Sequence, residues 1–226
     1  MRNLMTTENI NKASWLFTEL IPNSPLQDIR LYGEKVGQVI PPIYESYCKI
    51  LHPFQTFIKT SNSESLFENK TWRQIANLYG IYYHDQINIG SFISKFGKIG
   101  YPDNLTFPNE GMLTRSLFIE LLDTVDRVTS NKEFYIYQSV PNTIWKNDKD
   151  CELIKVNKNE TLQYFDTDFI GYLYLDRDWV IHTDTDNHYT LVGGHHSLIN
   201  AICDSNLEAI KLSSDSRIDR YADTIN

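Results

Sequence analysis

FIGYLYLDRDWVIHTDTDNHYTLVGG, residues 169–194, reads as three strands. FIGYLYL, WVIHT and HYTLVG are short runs rich in aromatic and β-branched residues, and clusters of aspartate and asparagine separate them. Asp186-Asn187 is a turn pair, because both side chains bond to nearby backbone and tolerate the left-handed region. It folds the last two runs into a hairpin. The pair Gly193-Gly194 then leads into SLINAICDS, a short helix, and LEAIKL follows as a last strand. Upstream, EFYIYQSV and CELIKV add two more strands.

Further out the pattern turns helical. Leu117, Leu121, Leu122, Val125 and Val128 form one apolar stripe, which predicts a helix over 114–128. TWRQIANLYGI predicts a short helix that Gly80 stops. A first helix is expected over 7–21, ended by Pro22 and Pro25. A second is expected from IPPIYESYCKIL, with Ile43, Tyr47, Ile50 and Leu51 at helical spacing and His52-Pro53 closing it. Polar residues 55–70 read as a loop, and glycine-rich 85–112 as an irregular connection. Helices followed by a mostly antiparallel sheet give an α+β class. The expectation is one domain over 1–226, helical over 1–130 and sheet-rich over 131–226, with 226 residues ample for a buried core.

The net charge of -8 is uneven. Residues 1–159 hold 17 basic and 17 acidic side chains, while residues 160–226 hold 4 basic and 12 acidic. An acidic last third repels phosphate backbones, which argues against nucleic acid and for a basic protein partner or a solvated surface. No apolar run reaches the roughly 18 residues of a membrane span, and the first residues contain no apolar signal core, so a cytoplasmic location is expected. Cys48, Cys151 and Cys203 are odd in number and form no CxxC, so three free thiols are expected.

Four of six histidines fall within residues 182–196. On an unbroken strand His182, Asp184, Asp186 and His188 would share one face, a ligand set for zinc or a non-haem metal. That arrangement would serve a metal-assisted hydrolase. The turn at Asp186-Asn187 divides the set, and neither HExxH nor HxE with CxxC is present, so no cofactor is expected. LVGGHHSL has neither GxGxxG nor a following lysine, and reads as a tight strand-to-helix turn. Ser197 and Ser213 lack a GxSxG frame. Cys48 and His52, at i and i+4 of the expected helix, make a thiol–imidazole pair there, and a buried cysteine near a capping histidine is the plainer reading. The 14 tyrosines would also suit a small-molecule or peptide pocket, or the packing of a sheet.

VIPPIYESYCKILHP and the stretch from Asp176 to the end resemble a group of uncharacterised bacterial proteins. The resemblance rests on Pro41, Pro42, Tyr44, His52 and Pro53. It continues through Asp176, Arg177, Trp179, Thr183, Asp184, Asp186, Thr190, Val192, Gly193, Gly194, Leu207, Glu208 and Ala209. These blocks cover roughly a third of the chain, and the histidines at 182, 188, 195 and 196 lie outside the pattern. LYGEKVGQVIPPIYESYCKIL is also similar to the opening of the SMI1/KNR4-like (SUKH) superfamily, many of whose members are immunity proteins against polymorphic toxins. That resemblance implies a non-enzymatic protein that neutralises a cognate basic toxin domain, of which a nuclease is one instance. Asp176, Asp178, Trp179, Asp184 and Asp186 are the expected partner-binding residues, with Trp179 as an aromatic anchor or as core.

Overall fold

The computed structural model describes residues 6–22, 33–59, 65–130, 133–139, 151–166 and 170–226. Along them run β1 (Thr6–Thr7), α1 (Trp15–Thr18), β2 (Ser46–Leu51), β3 (Phe54–Lys59), β4 (Ser65–Lys70), α2 (Trp72–Tyr79) and α3 (Ile89–Ile99). Then come β5 (Leu105–Thr106), α4 (Arg115–Val128), β6 (Glu133–Ser139), β7 (Cys151–Asn157) and α5 (Lys158–Phe165). The last are β8 (Tyr172–Leu175), β9 (Trp179–Thr183), β10 (Tyr189–Gly194), α6 (His196–Cys203) and β11 (Ala209–Leu212). The fold is α+β.

The main sheet has the order β1-β7-β6-β8-β9-β10-β2-β11, and every neighbouring pair is antiparallel. Successive side chains point to opposite faces. One face carries Ile50, Phe134, Ile136, Leu173, Trp179, Ile181 and Val192, and α4, α5 and α6 cover it with residues such as Phe118, Leu121, Leu122, Ile199 and Ile202. The other face is rich in tyrosine, with Tyr47, Tyr137, Tyr172, Tyr174 and Tyr189. Leu16, Trp72, Ile75, Phe92 and Phe96 belong to the core on that side. A small second sheet, β4-β3-β5, accompanies α2 and α3. Each fully buried large apolar side chain contributes about 1.5–3 kcal/mol of transfer free energy.

Two of the expected helices form with the punctuation the sequence carries. Thr71 caps α2 in a reciprocal box with Gln74, and Gly80 ends it in the left-handed region at φ +66°. α4 buries Phe118, Leu121, Leu122 and Val125. The hairpin at Asp186-Asn187 forms too, joining β9 to β10.

Elsewhere the structure corrects the reading. Residues 46–51 are a strand, not a helix, and β2 sits between β10 and β11 with all but its first residue buried. A strand packed on both faces shows no alternation, so spacing alone could not tell it from a buried helix. Residues 54–59 and 65–70 are not loop but the antiparallel strands β3 and β4, where Phe57 and Phe67 pair across strands at 5.4 Å. The irregular connection contains α3, in which Phe92 and Phe96 are buried one turn apart and the Asn88 side chain accepts from the Gly90 amide. The first helix shrinks to a 3-10 turn at Ile10–Ala13 and the four residues of α1. α5, which no expectation covered, starts at a capping box between Asn157 and Glu160. With β2 to β5 inside residues 1–130, that part of the chain is mixed and not helical.

Candidate functional site

The expected binding residues do not form one patch. Trp179 is fully buried beneath the helices, edge-on to Phe134 at 5.3 Å. It is a core residue, and a surface anchor role does not fit it. Asp176 and Asp178 lie in the turn entering β9, where Asp178 N donates to Leu175 O and Asp176 adopts φ +39°. Arg177 between them pairs with Glu19 and lies over the Trp15 ring. Asp184 and Asp186 lie in the turn leaving β9. At about 3.3 Å per residue the strand holds the two aspartate pairs roughly 20 Å apart, at opposite ends of the sheet.

The metal-ligand set is likewise divided. His182 packs inward, stacked on Tyr172 at 4.1 Å with its Nδ1 2.7 Å from Gly171 O. Burial pushes its pKa down to about 4, so it is neutral at pH 7. His188 lies beyond the turn, with Nδ1 3.0 Å from Pro108 O and Nε2 3.5 Å from Glu110. Among the described residues no three His, Cys, Asp or Glu side chains are placed to hold one ion, so the set His182, Asp184, Asp186 and His188 does not converge. The cause is the hairpin itself, which reverses the chain between the two imidazoles.

What the fold does assemble is a carboxylate corner around the β9–β10 turn. Asp186 N donates to Asp184 Oδ1 at 2.9 Å and Asn187 N to Asp184 O at 3.2 Å, which fixes the turn. Gly111 N donates to Asn187 O at 3.0 Å, so the 108–111 segment brings Glu110 alongside. From the N-terminal half comes Glu34, whose amide donates to Asp219 Oδ2 at 3.1 Å. Burial, then the neighbouring charges of Asp184 and Asp219, push the Glu34 carboxyl upward. The phenol of Tyr189 feels the same three carboxylates and is held well above its ordinary value, chiefly by burial. Asp219 is matched by Arg217 at 3.0 Å. Glu34, Glu110 and Asp219 were invisible as site residues because about 35 to 150 sequence positions divide them from the turn.

The motif residues hold the framework. A Cβ on Gly193 would meet the Tyr44 ring at 2.6 Å, so the glycine and the tyrosine of the two motif blocks pack directly on one another. Glu208 accepts from the amides of Trp72 at 2.6 Å and Arg73 at 2.8 Å, satisfying the open start of α2. Asp223 accepts from the Ile225 and Asn226 amides, and Asn226 exchanges bonds with both Tyr82 N and Tyr82 O. His52 lies beyond the end of β2, so it shares no helix face with Cys48. Its ring bridges Asn109 O at 2.8 Å and Thr190 Oγ1 at 3.0 Å, and Thr190 reaches Thr183 Oγ1 at 2.8 Å. Burial lowers its pKa to about 4, and His52 and Thr190 are both buried, at 0% and 1% exposure.

Comparison with known protein families, with curated proteins and with solved structures gives no match. Among the described residues no helix is long and apolar enough to cross a membrane.

Proposed function

We propose that the chain is an immunity-type binding protein that neutralises a cognate toxin domain, and that the carboxylate corner receives a basic face of that toxin. The observation that carries this reading is the gathering of Asp184, Asp186 and Glu110 at one turn, with the Glu34 amide bonded to the Asp219 carboxylate beside it. A carboxyl held among carboxylates gains when a lysine or arginine approaches, and gains most where water is partly excluded. The acidic excess of residues 160–226 adds a long-range attraction for a cationic partner. Asp176 and Asp178, at the far end and beside Arg177, lie outside this face.

The test is capture from the native host on immobilised parent protein and on an Asp184→Asn/Asp186→Asn/Glu34→Gln variant. The expected result is a single basic protein, retained by the parent and lost by the variant. Expressed alone it arrests growth, and co-expression with the parent restores growth. Equal retention by both proteins, or a captured protein without toxicity, overturns the reading.

A further inference from the structure

Cys48 of β2 and Cys203, the last residue of α6, both carry free thiols. They are 155 positions apart in sequence, yet α6 packs on the sheet face that displays Cys48 and sets Cys203 against the same cluster. Cys48 is fully buried and Cys203 only partly so, which makes Cys203 the more accessible member of the pair. A cation stands beside them. Lys211 of β11 is the direct cross-strand partner of Cys48, so its side chain leaves the sheet on the same face.

We propose that Cys203 and Cys48 form a peroxide-reactive dithiol, Cys203 being the attacking sulfur and Cys48 the resolving one. Cys48 and Cys203 meet in one cluster of the sheet–helix core, and Lys211 stands across the strand from Cys48 on the same face. Contact with Cys48 and the Lys211 charge together draw the Cys203 thiol below its ordinary range, against partial burial and the adjacent Asp204. Burial and the same contact hold Cys48 as the protonated partner. A thiolate that is accessible, paired with a second thiol and near an ammonium is the arrangement that oxidation selects.

The chemistry balances without a cofactor. The Cys203 thiolate attacks one oxygen of hydrogen peroxide, the O–O bond breaks, and the departing hydroxide takes up a proton to leave as water. Cys203 is then a sulfenic acid. The Cys48 sulfur attacks it, the S–O bond breaks, and the Cys48 proton leaves with that oxygen as a second water. Two thiols have lost two electrons, one peroxide has gained them, and a Cys48–Cys203 disulfide ties β2 to the end of α6. An external dithiol reverses the step by exchange.

The test treats the full-length protein with hydrogen peroxide at a dose that half-oxidises glutathione in the same tube. The expected product has lost two hydrogen atoms by intact mass, and non-reducing peptide mapping finds Cys48 joined to Cys203 with Cys151 unlinked. In Cys48→Ser the sulfenic acid on Cys203 persists and is trapped by dimedone. In Lys211→Gln, alkylation of Cys203 at neutral pH slows by about twofold to threefold, as the thiolate fraction falls. If the parent keeps both thiols at that dose, or a link forms through Cys151 instead, the proposal is overturned, and the parent peptide map decides this whether or not the variants fold.

Discussion

Lys49 lies within the tyrosine face of the sheet, 2% exposed, its ammonium donating to Ile87 O at 2.8 Å. Burial is the main reason its pKa falls from 10.5 to about 8, with Asp85 and Asp223 offsetting part of the fall. A lysine depressed in the folded state releases its proton before the unfolded chain does. Between the two values the unfolded chain therefore binds more protons, and stability rises with pH. Below the folded value both states are charged and the contribution is flat. For 8 folded and 10.5 unfolded, the gain between about pH 7.5 and about pH 9.5 comes to about 2 kcal/mol. The tyrosines work the other way. Tyr44, Tyr83, Tyr172, Tyr174 and Tyr189 are all held above 10 by burial, so the unfolded chain loses their protons first. At about pH 9.5 they remove about 0.8 kcal/mol together. The assay is urea unfolding of the parent and of Lys49→Met at both pH values. The tyrosines and the buried Cys48 are common to both proteins, so across the interval the parent should gain about 2 kcal/mol relative to the variant. Lys49→Gln gives the same comparison if the methionine variant is too unstable to measure. Equal changes in parent and variant would show that Lys49 is not desolvated in the folded chain.

Gly193→Ala should cost about 1–3 kcal/mol, because the new methyl meets the Tyr44 ring, and Tyr44→Leu in the same chain should return part of it; unfolding midpoints check both. Glu208→Ala should cost about 1–2 kcal/mol by stripping two amides at the start of α2 of their acceptor, and hydrogen exchange at Trp72 and Arg73 should quicken. Elemental analysis of the purified chain should find no near-stoichiometric zinc or iron. One metal per chain, lost in a His182→Ala/His188→Ala variant, would contradict the placement of those rings.

The later half of the sheet was legible because its strands are short, aromatic and separated by aspartate and asparagine turns. α2 and α4 were legible through caps and a clean stripe. β2 was not, since a strand covered on both faces keeps no period of two, and its Tyr47, Ile50 and Leu51 also satisfy helical spacing. α3 was hidden by its glycines, Gly90 and Gly97, although Phe92 and Phe96 were spaced for one buried face. The candidate site was half legible. Asp184 and Asp186 stood out, but Glu34 and Asp219 reach them only through tertiary packing. Trp179 shows the converse limit, because a tryptophan beside three charged residues reads equally as an anchor or as core until burial decides.

Under the proposed function, charge at the β9–β10 turn steers a basic partner. The most direct measurement is the association rate with the captured partner, at rising salt, for three proteins. These are the parent, Asp184→Asn/Asp186→Asn, and Asp176→Asn/Asp178→Asn. Asparagine keeps size and most hydrogen bonding, so each pair isolates charge. The parent rate should fall as salt passes about 0.15 M, where the screening length is about 8 Å. The 184/186 pair should associate more slowly with a flatter salt dependence, while the 176/178 pair, roughly 20 Å away, should follow the parent. If the 184/186 pair keeps the parent's rate and salt slope while remaining folded, the carboxylate corner does not receive the partner.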